Sequence, residues 1–270
     1  MERKKKRKVK SWVIMLVFGI FSLLFIYSGY KIIKWKLNVN ENNNLKKDII
    51  KNNIKINKDE DDKKFKYDVD FESLKEKNSD TVAYLKVNGT NIDYVVVKGK
   101  DNSYYLKHNF NKEYNIAGWI FADYKNKFDG TDKNIVVFGH NTKDGSMFGT
   151  LKNVLSEDWQ NNKDNLQITF VTERKEYLYQ VFSTYSIKPE EYYIKTDFES
   201  NDEYIEFLNE LKERSNHDYN VNVDSSDSVL TLSSCIGDGS KRVVLHAKKI
   251  YYNNRNIKIF RYVLDPQTYL

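Results

Sequence analysis

The chain has 270 residues, 40% of them hydrophobic, with a single cysteine and a formal net charge of +6. Residues 1–10 hold seven of the 44 Lys and Arg but one of the 38 Asp and Glu, so the other 260 residues carry 37 charges of each sign. This balance removes the main argument for nucleic-acid binding, which would want basic residues spread over a folded face. The basic tail acquires its meaning from the segment next to it. Ser11 to Tyr30 contain no charged residue, and as a helix this stretch would span about 30 Å, the hydrocarbon thickness of a bilayer. A cleaved signal has an apolar core of about 7–15 residues and then a small-residue cleavage site. This stretch is longer and runs on into Tyr30-Lys31-Ile32-Ile33-Lys34-Trp35, which favours a retained anchor. With the basic cluster before it, the positive-inside rule places the N-terminus in the cytoplasm and everything after the span outside. The expected division is a cytoplasmic tail (1–10), a transmembrane anchor (11–33), a polar spacer (34–66) and one extracellular domain (67–270). The spacer reading rests on runs such as Glu41-Asn42-Asn43-Asn44 and Lys58 to Lys64, part of it read as a solvated helix.

Beyond Phe65 the sequence turns to short β-branched and aromatic runs, in about enough residues for one domain with a sizeable core. Phe71, Leu74 and Lys75 predict a short helix. Val82–Val87 and Ile92–Val97 read as a hairpin around Asn88-Gly89-Thr90, with further strands at 116–122, 134–139, 166–172, 176–187, 228–235, 242–251 and 256–263. Leu151, Val154 and Leu155 mark a helix after His140. Ser200 and Glu203 form a capping box for a helix at 201–214, whose Tyr204, Phe207, Leu208 and Leu211 make one apolar face. Short strands at this spacing predict a β-barrel or sandwich with helices in its connections.

The candidate chemistry sits at strand ends. Cys235 closes the run Ser228 to Cys235, and Arg242 opens the next run. A lone cysteine is by default a small buried hydrophobe, but exported proteins tend to pair their cysteines or use them. A cation near the thiol holds sulfur ionised, and donors aimed at a developing oxyanion favour acyl transfer. His140 stands where the strand Ile135-Val136-Val137-Phe138 ends, and imidazole is the natural acid/base at neutral pH. His108 and His217 lie in polar text and read as solvated. His246 competes with His140, but it shares a strand face with Arg242 about 13 Å further along, so it reads as a satisfied barrel histidine.

The segments Thr231-Leu232-Ser233-Ser234-Cys235, Val137-Phe138-Gly139-His140 and Lys241 to Lys248 closely resemble the three catalytic motifs of class B sortases, membrane-anchored cysteine transpeptidases of Gram-positive bacteria. Asp101 to Leu106, Gly145-Ser146-Met147-Phe148 and Tyr193 to Phe198 are also similar to family segments, so the resemblance spans roughly residues 65–252 in one order. It implies an eight-stranded barrel with peripheral helices, the one at 201–214 in a long connection. Carried over residue by residue, it implies Cys235 as nucleophile, His140 as acid/base and Arg242 as stabiliser of the substrate carbonyl and oxyanion. It also implies a peptide groove lined by Asn102, Leu106, Ser233, Tyr193 and Ile194. Two positions depart from the family pattern: Phe138 stands where Tyr is frequent, removing a hydroxyl from the groove, and Ser234 where Thr is frequent. The implied substrates are secreted proteins with a C-terminal Asn-Pro-x-Thr-Asn-like signal, joined to an amine of peptidoglycan or its lipid-linked precursor. No cofactor is implied, and the histidines and cysteine lack metal-ligand spacing. Two other readings stay open: a hydrolytic cysteine peptidase using the same dyad, and a non-catalytic membrane-tethered binding domain.

Overall fold

The computed structural model describes residues 10–57, 66–235 and 240–254. The strand expected at 256–263 lies outside them. Helix α1 runs without interruption from Ser11 to Asn53, about 65 Å at 1.5 Å per residue. Its first half exposes Trp12, Phe18, Phe25 and Ile26 and is long and apolar enough to cross a membrane by length and composition. Its second half departs from the expected solvated spacer. Val39, Asn42, Ile49 and Asn53 are buried, and Asn42 Nδ2 donates to the Gly118 carbonyl at 2.8 Å. Lys46 Nζ donates to the Asn91 carbonyl at 2.8 Å, and Asn115 Nδ2 reaches the Asn38 carbonyl at 2.9 Å. Composition misleads here because asparagine side chains, polar in sequence, close hydrogen bonds in a buried contact. Beyond α1, β1 (Ile54–Ile56) pairs with β2 (Tyr67–Val69), and α2 (Phe71–Lys77) comes next, capped by Asp70.

Eight strands close a barrel: β3 (Thr81–Val87), β4 (Asp93–Val97), β5 (Phe121–Ala122), β6 (Asn134–His140), β7 (Gln167–Thr172), β8 (Lys175–Ile187), β9 (Val229–Cys235) and β10 (Arg242–Asn254). Their order around it is β10-β8-β7-β3-β4-β5-β6-β9. All neighbours are antiparallel except β4–β5 and β6–β9. The strand expected at 116–122 shrinks to two residues. Gly118 takes φ +60° just before it, and a Cβ there would collide with the carbonyl oxygens of Tyr105 and Leu106, so the chain turns where a strand would continue. The helix expected at Leu151–Leu155 is a 3-10 turn, followed by the short α3 (Glu157–Gln160).

Alternation sorts the strand residues into two buried layers. Leu230, Leu232, Val243, Leu245 and Ala247 join the larger core, whereas Val229 and Val244 join a second cluster with Phe182, Tyr185 and Tyr193. Helix α4 (Asn201–Glu213) covers this second layer with Tyr204, Phe207, Leu208 and Leu211. Its capping box forms as read: Ser200 Oγ accepts from Glu203 N at 3.1 Å, while the Glu203 carboxylate accepts from Glu199 N.

Candidate active site

Strands β6 and β9 run parallel in a register that makes His140 the partner of Cys235, each the last residue of its strand. The two residues are 95 positions apart in sequence and meet at one barrel rim. Gly139 allows β6 to reach that point, because a Cβ there would strike Ile120 and the Phe148 ring. The strand is then pinned by Phe148 N donating to the His140 carbonyl at 2.9 Å. The His140 ring is fixed independently: Nε2 lies 2.7 Å from the Leu106 carbonyl. A carbonyl can only accept, so Nε2 carries a proton and Nδ1 is left to take or give one. Beside His140 opens a cavity of about 560 Å³, walled by Lys31, Ile32 and Trp35 of α1 and by Ile116, Ala117 and residues 141–143.

Arg242 opens β10 and pairs with Ile187 of β8. On its other side, backbone pairing with β9 ends at Val244–Ser233. The Ser234 hydroxyl continues the ladder there, accepting from Val243 N at 2.9 Å. Arg242 Nη1 donates to Tyr193 Oη at 3.3 Å, and Tyr193 Oη lies 3.1 Å from Ser233 Oγ. Tyr193 and Ser233 are both fully buried, so the guanidinium is steered by a hydroxyl pair of fixed position.

The expected groove residues divide. Tyr193 and Ser233 meet at Arg242, and the Leu106 backbone carbonyl meets His140. Ile194 is half-buried and packs against both cores. Asn102 Nδ2 donates to Asp123 at 2.8 Å and its Oδ1 accepts from Tyr124 N at 3.1 Å, which braces the turn between β5 and β6. The two histidines read as solvated are instead half-buried against tyrosines, His108 stacked on Tyr104 at 4.0 Å and His217 edge-on to Tyr219 at 4.7 Å.

His246 is satisfied at both ring nitrogens, by Tyr185 Oη at 2.9 Å and Thr231 Oγ1 at 2.9 Å. Burial pushes its pKa down to about 3. The unfolded chain therefore takes up a proton below about pH 6.5 that the folded chain refuses, so stability is lost as pH falls through that value. From pH 6 to 5 this one group is expected to cost about 1 kcal/mol. Denaturant unfolding of the full chain in detergent at the two pH values measures it, and His246→Phe should remove that part of the slope.

A family model described as the sortase domain matches residues 85–250. The chain is 36% identical over 183 residues to sortase B of Staphylococcus aureus (strain NCTC 8325 / PS 47), covering 67% of this chain and 74% of that protein. Among solved structures, it is similar to sortase B from B. anthracis in complex with AAEK1, with a TM-score of 0.68 and 31% identity over 79% of this chain and 98% of that one. It is likewise similar to the Staphylococcus aureus sortase B–substrate complex, with a TM-score of 0.63 and 36% identity over 67% of this chain and 84% of that one. A closed eight-stranded barrel with these matches defines a sortase, an enzyme of the cysteine transpeptidase class. The relatives narrow it: the chain belongs to the sortase family and, within it, to class B.

Proposed function

We propose that this sortase cleaves an Asn-Pro-x-Thr-Asn-like signal near the C-terminus of secreted proteins and joins the new end to an amine of the cell wall. The Cys235 thiolate attacks the carbonyl after Thr, and the C–N bond breaks as His140 gives a proton to the departing amine, leaving a thioester on sulfur. The incoming amine then attacks the thioester and loses a proton to His140, the C–S bond breaks, and the thiolate is restored. Arg242 holds the acyl oxygen through both tetrahedral stages. The observation that carries this reading is the register joining His140 to Cys235 at the strand ends. The protonation of Nε2 by its bond to Leu106 supports it, leaving Nδ1 for proton transfer. Related sortase B structures include a Staphylococcus aureus substrate complex and a complex with triglycine, which supports a peptide donor and an amine-ended acceptor here. The apolar half of α1 would hold the enzyme in the membrane, single-pass, with its N-terminus in the cytoplasm and the catalytic domain outside.

The test is a product assay of the full-length enzyme with a sorting peptide, with and without an amine acceptor. The expected outcome is a thioacyl adduct on Cys235 by mass spectrometry and an amide product that needs the acceptor. Hydrolysis at the same rate with and without acceptor would make the protein a cysteine peptidase. Absence of any adduct with a panel of signals would make it a tethered binding domain.

A further inference from the structure

Beneath α4, one hydrogen-bonded chain of side chains, buried beyond the half-buried Tyr192, begins and ends on the same short turn. Tyr192 Oη donates to Tyr185 Oη at 2.7 Å, and Tyr185 Oη lies 2.9 Å from His246 Nε2. His246 Nδ1 lies 2.9 Å from Thr231 Oγ1, which donates to Asn134 Oδ1 at 2.7 Å. Asn134 Nδ2 then donates to the carbonyls of Tyr193 at 3.2 Å and Lys195 at 2.9 Å. The polarity is fixed throughout. Asn134 presents its oxygen to Thr231 because its nitrogen serves two carbonyls, and Thr231 spends its one proton on that oxygen. His246 must therefore donate from Nδ1 and accept at Nε2 from Tyr185. Neutral imidazole meets this need, offering a donor and an acceptor on separate edges of one ring without a charge, at a site with no solvent exposure.

The turn so clasped is the 3-10 segment Tyr192–Ile194. Among the described residues its own backbone contributes two bonds, Ile194 N to Glu191 and Lys195 N to Tyr192, so its position depends on outside fastening. It carries Tyr193, the hydroxyl to which Arg242 donates. We propose that His246 is a positioning residue for transpeptidation: as the neutral centre of this chain it fixes the turn, and through Tyr193 it sets where the Arg242 guanidinium stands relative to the acyl carbon. This rests on Arg242 acting on the acyl oxygen, as proposed above. His246 itself stays remote from the reacting atoms.

The test is steady-state kinetics of the full-length enzyme in detergent with a fluorogenic sorting peptide and an amine acceptor. His246→Phe keeps a ring of similar size and removes both hydrogen bonds. It is expected to lower kcat about 10-fold with KM changed by less than about 2-fold, because the interaction matters most in the transition state. In a Tyr193→Phe background, where the link to Arg242 is already cut, the same substitution should cost less than about 2-fold. An equal loss in both backgrounds would reduce His246 to a packing residue and overturn the proposal, as would undiminished kcat in His246→Phe. Should His246→Phe fail to fold by near-ultraviolet circular dichroism, Tyr192→Phe cuts the first link at a half-buried site. The same cycle then expects a loss of about 3-fold that vanishes beside Tyr193→Phe, and additivity overturns the proposal again. Arg242→Ala assayed in parallel separates the two levels. Near-normal kcat there removes the reading of Arg242, whereas a large Arg242 defect with an additive His246 variant removes only the positioning role.

Discussion

Cys235→Ala is expected to abolish turnover while the barrel stays folded. The chain has no second cysteine, so no other thiol can carry the acyl group. With the sulfur gone, the route through a thioester closes, and what remains is peptide binding and the guanidinium acting on a substrate with no attacking group. Losing an activated nucleophile typically costs about 10⁴-fold or more in kcat. Fold retention is expected because Cys235 is the last residue of β9 and its backbone is held by pairing with β6, which alanine preserves. Cys235→Ser should be nearly as inactive, since a hydroxyl has a far higher pKa than a thiol and a neighbouring cation leaves it protonated at neutral pH. Peptide cleavage and unfolding temperature, measured on the same preparation, decide the matter. Cleavage above trace level by a folded Cys235→Ala enzyme would show that the nucleophile lies elsewhere.

Local pattern made most of the strands and α4 legible, and the reasons for the failures are physical. Alternation and the capping box located β3, β4, β6–β10 and α4 to within a residue or a few, because those signals act between near neighbours. The parallel pairing of β6 with β9 leaves no local trace, because it joins residues 95 positions apart: strand ends and imidazole chemistry single out His140 as the acid/base, and the resemblance to class B sortases pairs it with Cys235, but neither supplies the register. The second half of α1 is composed like a solvated spacer yet docks, because besides the isolated apolar contacts of Val39 and Ile49 it is held by asparagines and a lysine whose partners are backbone carbonyls on distant loops. No hydropathy pattern carries such bonds. Leu106 shows a subtler limit. Resemblance implies Leu106 in a peptide groove without naming an atom, and the atom that meets His140 is its carbonyl oxygen, beside which Gly118 leaves room.

The same contrast bears on His246. Strand geometry set it apart from the acid/base role, and its two nitrogens are both engaged within the fold. Sequence distance could not say what those partners hold. Thr231, Asn134, Tyr185 and Tyr192 lie on four separate segments, and only the closed barrel brings them into one chain.

Arg242→Ala is expected to lower kcat by about 10²–10³, the typical cost of removing one oxyanion donor, with a smaller change in KM because the contact strengthens as charge builds on the acyl oxygen. Arg242→Lys distinguishes charge from geometry. If positive charge alone sufficed, lysine would restore most of the rate. The structure argues otherwise: one guanidinium nitrogen, Nη1, is committed to Tyr193 Oη at 3.3 Å, and a planar fork holds several N–H groups in fixed directions at once. An ammonium on a flexible stem is a point charge that cannot hold two directions at once, so it either satisfies Tyr193 or follows the substrate oxygen. Arg242→Lys should therefore recover only a small part of the loss. Kinetics with a fluorogenic sorting peptide at saturating acceptor measure both variants. Near-normal kcat in Arg242→Lys would mean that charge suffices, and near-normal kcat in Arg242→Ala would remove the guanidinium from the chemistry altogether.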